Sequence, residues 1–292
     1  MVRLIFLLLL MTFPAAAHDA AEAMPDWEWD AWITVPLLVS GVLYVRGVQL
    51  LWTRSGAGRS IRIWQGICFA AGWLTVFGAL CSPLHWYAEH LFSAHMVEHE
   101  LLMAVAAPLL AVSKPIGAFL HAMPKTWRGG LIHGAHFNPL RRSWAFLVDP
   151  TVATIVHGVA LWTWHAPPLF DAAVHNETFH RLQHVSFFGS ALIFWWALLR
   201  RPVREQGSAI LHIFATMGHM TLLGFLLALS PRVLYPAQTA TAGEFGLTPL
   251  EDQQLGGLIM WVPASTIYAA IALAMAGLWI ARSGRSTRSG LD

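Results

Sequence analysis

The chain reads as an all-α, polytopic membrane helix bundle, with seven transmembrane helices following a cleaved signal peptide. Three observations predict this class. Apolar residues make up 56% of the 292 residues and charged ones only 12%, against roughly a quarter charged in ordinary soluble domains. Apolar windows long enough to cross a hydrocarbon core of about 30 Å recur seven times along the sequence. Basic residues gather on alternate connections between those windows, the bias by which inserted helices orient.

The amino-terminal stretch MVRLIFLLLLMTFPAAAHDA combines Arg3, an apolar run from Leu4 to Phe13 and Ala15-Ala16-Ala17 as a small-residue cleavage site. These are the three parts of a secretory signal peptide. Residues 1–17 are expected to be removed, leaving 18–292 as one seven-helix domain.

The seven windows fall at 31–52, 61–81, 88–112, 150–167, 181–199, 208–230 and 255–281. Arg46, Arg54, Arg59 and Arg62 cluster around the first connection. Lys114, Lys125, Arg128, Arg141 and Arg142 occupy the third, and Arg200, Arg201 and Arg204 the fifth. Arg282, Arg285 and Arg288 follow the last window. The positive-inside bias makes all of these cytoplasmic. The alternate connections hold Asp171, Glu177, Glu244, Glu251 and Asp252 with little basic charge, and face outward. An exported amino terminus demands the same direction. The expected location is a bacterial inner membrane, with the mature amino terminus periplasmic and the carboxyl terminus cytoplasmic.

Within the cytoplasmic connection 113–149, IGAFLHAMPKTWRGGLIHGAHF reads as a short interfacial helix plus loop carrying amphipathic Trp127 and Phe137. Cys68 and Cys81 sit at opposite ends of one predicted helix, roughly 20 Å apart by the helical rise, and cannot pair. A net charge of +2 with dispersed basic residues offers no footing for nucleic acid.

Histidine is the compositional anomaly, with fifteen against eighteen Lys plus Arg. In HMVEHELL, residues 95–102, His95, Glu98 and His99 spell H-x-x-E-H, a zinc metalloprotease signature. His95 and His99 are four residues apart and share a helix face, about 10 and 16 Å below the outer end of the third window. Met103 continues that stripe. His180 and His184 repeat the spacing where the fifth window begins, and His165 ends the fourth at the same outer level. Ionisable side chains inside a membrane are costly and mark functional sites, so His95, His99, His165, His180 and His184 are the candidate metal ligands.

Deeper in the membrane lie His157 and His219, the latter between Met217 and Met220. A Met and His lining suits a soft ion such as Cu(I), although methionine is also a common packing residue. At the outer mouth Cys81, His85 and His90 suit an access path for metal or an aromatic belt. His18, the terminus left by cleavage, could chelate copper or simply be a flexible end. For any single histidine the ordinary alternative is a hydrogen-bonded contact between helices.

The stretches SPLHWYAEHLFSAHMVEHELLMAVAAPLLAVSKP and WHAPPLFDAAVHNETFHRLQHVSFFGSALIFWW resemble the CtaG family of multispan cytochrome c oxidase assembly factors. This is the seven-span type, not the single-span copper chaperone that shares the name. The family's His-Met-x-x-His followed by an apolar run and Pro falls on His95, Met96, His99 and Pro108; its Trp-His-x-Pro on Trp164, His165 and Pro167; its His-x-x-x-His on His180 and His184.

The resemblance implies a non-enzymatic role in maturing a haem-copper oxidase at its copper centre. It implies oxidase subunits or copper chaperones as partners and copper as the bound ion, with zinc and haem left open. Position 98 need not be acidic in the family. Peptidase chemistry is therefore a minor reading, and Glu98 is expected to orient a ligating histidine, with Met96 and Met103 as further contacts. The rival reading is a membrane electron-transfer protein binding haem b through histidines of facing helices, and a third is a scaffold without metal. Two i, i+4 pairs favour a shared ion. Such sharing requires the imidazoles of His95, His99, His180 and His184 to lie within about 8 Å of one another, with His165 at the rim.

Overall fold

Helices supply all the regular structure among the residues that the computed structural model describes, 25–202 and 205–288, with side chains described up to Arg282. The expected signal peptide at 1–17, the expected cleavage site and His18 lie outside the described residues, as do Arg204 and the side chains of Arg285 and Arg288.

The order along the chain is α1 (Ala31–Ser55), α2 (Ile63–Cys81), the short α3 (Pro83–His90), α4 (Phe92–Val112), α5 (Pro115–Ala122), α6 (Lys125–Ala135) and α7 (Asn138–Leu147). Then come α8 (Pro150–Trp164), α9 (Pro167–His175), α10 (Glu177–Leu199), α11 (Gln206–Ala228) and a long α12, built of Pro249–Ile259, a π-turn at Met260–Ala264 and Ser265–Arg288. Their starts are legible: Pro83, Pro115, Pro150, Pro167 and Pro249 each open a helix, where the missing N–H costs nothing. Ser82, Asp149, Asn176 and Thr248 cap the helices that follow them.

Among the described residues six helices are long and apolar enough to cross a membrane: α1, α2, α4, α10, α11 and α12. The seventh expected span, 150–167, is shorter than its apolar window. α8 has 15 residues, about 22 Å by the helical rise, and reaches spanning length only together with α7, from which it bends by 69°. Asp149, capping α8 from Oδ1, and Pro150 stop the two from running straight.

The segment 113–149 also differs from the single interfacial helix expected there. It forms three helices. α5 packs on α1, where a side chain at Gly47 would overlap the Ala118 carbonyl, whereas α6, α7 and the turn between them bury no residue and expose Trp127, Phe137, Trp144 and Phe146.

α4 is the central helix: 67% of its window is buried, against 17–44% for the others, and α2, α3, α10 and α12 all pack on it. Its middle turn, Leu101–Ala106, is a π-turn just ahead of Pro108. Proline cannot donate to the preceding turn and its ring crowds the carbonyl there, and a widened turn absorbs both effects. The Met103 carbonyl within this turn accepts a 2.9 Å hydrogen bond from Trp195 Nε1. The second π-turn, in α12, likewise contains a proline, Pro263. α11 meets α12 at paired glycines, where a Cβ on Gly257 would come within 2.8 Å of the Gly224 carbonyl oxygen. Small residues of this kind let helix backbones approach closely in lipid. Cys68 and Cys81 are both free.

Candidate metal centre

The end of the bundle that carries the histidines is set by the entry of the chain into α4. Leu91 is extended and breaks α3 from α4, so α4 begins at Phe92 rather than at residue 88. His95 is then only about 5 Å and His99 about 10 Å along it by the helical rise. No local side chain caps this start. Instead Asp252, at the head of α12 and fully buried, accepts hydrogen bonds from the backbone N–H of Phe92 (2.7 Å), the N–H of Ser93 (3.0 Å) and the Ser93 hydroxyl (2.6 Å). A carboxylate on exposed helix N–H groups also meets the positive end of the helix dipole.

From this anchored start α4 faces α10, whose own start is capped by Asn176. Ring centroids of His95 and His99 are 4.1 Å apart, and those of His180 and His184 4.5 Å. Between the helices, His95 is 5.7 Å from His180 and 5.9 Å from His184, and His99 is 5.2 Å from His184. Nε2 of His180 and Nε2 of His184 are 3.1 Å apart. One nitrogen from each of His95, His180 and His184 lies within 4.8 Å of the others. Nitrogens sharing an ion at about 2.0–2.1 Å stand roughly 3.3–3.5 Å apart in a tetrahedron. Side-chain adjustments of little more than an ångström would close the group on one ion. All four ring nitrogens of His95 and His99 are buried without a hydrogen bond of ordinary geometry, His95 having only a weaker polar contact with the Ala88 backbone. Such groups cost about 1–3 kcal/mol each when left unpaired. The donor set fits an ion with a preference for imidazole.

Glu98 lies beside this group and is wholly buried. Its Oε1 accepts from His85 Nδ1 at 2.6 Å, and its Oε2 is 3.8 Å from His184 Nε2 and 4.0 Å from His95 Nδ1. His85, on α3, is thus held between Glu98 and Glu28, whose Oε2 is 3.3 Å from its Nε2. Burial pulls the His85 imidazole down, but the charge and hydrogen bond of Glu98, with Glu28 and Glu89 behind, outweigh it and raise His85 to about 9. Burial raises the Glu28 carboxyl above its ordinary value, with His85 opposing. The Glu28 N–H donates to the Cys81 carbonyl at 3.0 Å. Arg181 bonds Asp30 at 3.1 Å and also meets Glu177, so residues 28–30 are fastened across the mouth of the cluster.

His165 is buried nearby. Its Nδ1 donates to the Leu161 carbonyl at 2.7 Å and its Nε2 is unpartnered. Phe170 and Phe187 stand between it and the cluster, each in ring contact with His165 on one side and with His95 or His99 on the other. Met96 points elsewhere, into an apolar cluster with Phe92, Leu223, Tyr235 and Met260. Met103 does not continue the histidine stripe. The π-turn rotates it away from the i+4 position, and it packs in the main core near Trp195 and Tyr268.

The deeper histidines are apart from the cluster. His157 Nδ1 bonds Ser190 Oγ at 3.0 Å, its Nε2 is 3.5 Å from the Tyr268 hydroxyl, and its ring stacks on Phe194. His219 rests against Gly158 with both ring nitrogens unpartnered. His90 donates to the Trp86 carbonyl and stacks on Trp86.

Sequence reasoning passed over Glu100, Gln183 and Asp252 as site residues. Glu100 is buried with neither carboxylate oxygen bonded. Gln183 lines a cavity of about 80 Å³ together with His95 and His180. A signal for both was available, since each is a polar side chain inside an apolar window. Asp252 gave none, because its role depends on a helix 159 to 160 residues away in sequence.

Fold and site together define a multi-pass helical membrane protein with a buried imidazole cluster near one end of its central helix. The profile of the family described as cytochrome c oxidase caa3 assembly factor matches residues 42–282, and the chain belongs to that family. It is also similar to an uncharacterized protein of Mycobacterium leprae (23% identical over 277 residues, 89% of this chain and 40% of that one) and to one of Mycobacterium bovis (24% over 288 residues, 93% and 42%). The chain thus spans about two-fifths of the length of these curated relatives. No solved structure matches it.

Proposed function

We propose that the protein binds copper through His95, His99, His180 and His184 and assists maturation of the copper centre of its oxidase. The observation that carries this reading is the set of four unpartnered ring nitrogens on His95 and His99, buried against a second histidine pair on α10. A metal ion would engage one nitrogen of each ring. Imidazole donors suit copper among the ions an oxidase requires, and membership in an oxidase assembly family supplies the destination. The role is that of a carrier or inserter rather than an enzyme. Its partners are oxidase subunits or the chaperones that supply them. The basic connections orient the cluster toward the periplasm after export by the signal peptide.

A haem reading fits less well. The rings from the two helices interlock at centroid separations under 6 Å, and the adjoining cavity of about 80 Å³ holds no slot for a macrocycle. The peptidase reading meets a different obstacle. The carboxylate that would act as base, Glu98, has one oxygen occupied by His85.

Metal analysis of the purified protein beside a His95→Ala/His99→Ala variant tests the proposal. One copper per chain in the first and none in the second is expected, with no Soret band in either. Equal copper in both, or a Soret band that shifts on reduction, would overturn it. Alkaline phosphatase fused after residue 292 should be inactive, and activity there would reverse the orientation.

A further inference from the structure

We propose that Glu28, His85 and Glu89 form a second, outer cation site that takes a divalent metal ion, and that Glu98 joins it to the inner histidine cluster. The assignment goes beyond the copper reading of the inner cluster and stands or falls separately from it.

One ligand atom from each of Glu28, His85 and Glu89 lies within 4.8 Å of the others. The pairing of Glu28 with His85 alone could be an ordinary ion pair. Two features exceed that explanation. First, two carboxylates face a single imidazole here while a third, Glu98, stands behind it. An ion bound at Nε2 displaces the proton there, and its two positive charges then balance the two facing carboxylates, Glu28 and Glu89. Second, His85 is held as metal-bound histidines usually are. A buried carboxylate on Nδ1 fixes the tautomer and turns Nε2 toward the other ligands, and Glu98 makes that bond at 2.6 Å with Nε2 aimed at Glu28.

The place of this group in the molecule gives it a use. Glu89 also lines the cavity of about 80 Å³ whose wall includes His95 and His180. His95 is 3% exposed and has both ring nitrogens unpartnered, so the cavity leads from an acidic rim to open nitrogen ligands. An ion held by Glu28, His85 and Glu89 is one side chain from the inner cluster. The ligand chemistry changes along the way, from two carboxylates and one imidazole to imidazoles alone. Oxygen-rich sites favour divalent ions, and nitrogen sites retain copper and zinc. The outer group therefore gathers an ion and the inner group keeps it.

The test is titration of the purified full chain with Zn(II), monitored by calorimetry and by metal retained after gel filtration. Four proteins are compared: wild type, Glu28→Gln, Glu28→Gln/Glu89→Gln, and His95→Ala/His184→Ala. The outer substitutions are isosteric and lie on partly or fully exposed side chains, so elution as a monodisperse species controls for folding. Two equivalents are expected in the wild type and one in each double variant, with Glu28→Gln alone weakening the outer equivalent at least tenfold. If the outer variant loses the only equivalent the wild type binds while the inner variant keeps it, the outer site stands and the copper reading of the cluster falls. If the outer variant binds as many equivalents as the wild type, or the wild type binds none, the outer site is overturned.

Discussion

The carboxylate of Glu98 accepts a 2.6 Å hydrogen bond from Nδ1 of His85 while its other oxygen lies 3.8 Å from Nε2 of His184. It is fully buried and touches two helices besides its own. An amide at this position can still accept from His85. Glu98→Gln should therefore keep copper bound to the histidine cluster, whereas Glu98→Leu, which leaves the His85 N–H unpaired in a buried site, should cost about 1–3 kcal/mol. Copper content and melting temperature in detergent check both. Loss of copper in the glutamine variant would make Glu98 a ligand rather than a support.

His85 also predicts a pH dependence. Its folded value, about 9, lies above the ordinary 6.5, so the folded state binds the proton more tightly than the unfolded one. The resulting stabilisation is complete below about pH 6.5 and fades as pH rises through about 9. The metal-free protein should melt at lower temperature at pH 9.5 than at pH 7.5, a window above the ordinary histidine range in which His85 is the imidazole that titrates. In His85→Gln that difference should shrink, and an unchanged difference would locate the titration elsewhere.

His165 and His184 should separate clearly. His184 contacts the rings of His95, His99 and His180, while His165 reaches the cluster only past Phe170 and Phe187. His184→Ala is expected to weaken copper binding by at least about a hundredfold, beyond the range that indirect supports contribute. His165→Ala should do so by no more than about tenfold, the lower end of what indirect supports contribute. Competition titration against a copper chelator measures both, and equal losses would place His165 among the ligands.

Asp252 is predicted to matter as much as any histidine, though it touches none. Asp252→Ala removes the three hydrogen bonds that hold the start of α4 and should cost about 2–3 kcal/mol. Asp252→Asn, which keeps one acceptor, should cost about half as much. Copper affinity should fall in step with melting temperature. A stable Asp252→Ala protein would mean that α4 is fixed by other contacts.

Much of this architecture is legible in the residues. Proline and capping side chains announce most helix starts, and the i, i+4 spacing of His95 with His99 and of His180 with His184 places each pair on one face. The failures have physical causes. Met103 belongs to the histidine stripe only if α4 keeps 3.6 residues per turn, and a π-turn ahead of Pro108 breaks that period. The fourth window is drawn to residue 167 because apolar residues continue past Trp164, yet α8 ends at Trp164 and Pro167 starts a separate helix. His85 could be placed at the mouth from sequence, but not between two carboxylates, because one of them, Glu28, reaches it through a segment folded back over α2.

The cap that Asp252 places on Phe92 and Ser93 also has a meaning in time. A membrane chain is threaded into the bilayer from its amino terminus, and α4 with its first two histidines is inserted long before residue 252 has been synthesised. Until α12 arrives, the turn that carries His95 lacks the side chain that anchors it. The histidines of α10 come earlier, so a nascent protein can hold both pairs while their framework is still loose. A helix made after both histidine pairs is thus the one that fastens the first half of the centre, and a chain truncated before it would be left with ligands and no fixed geometry.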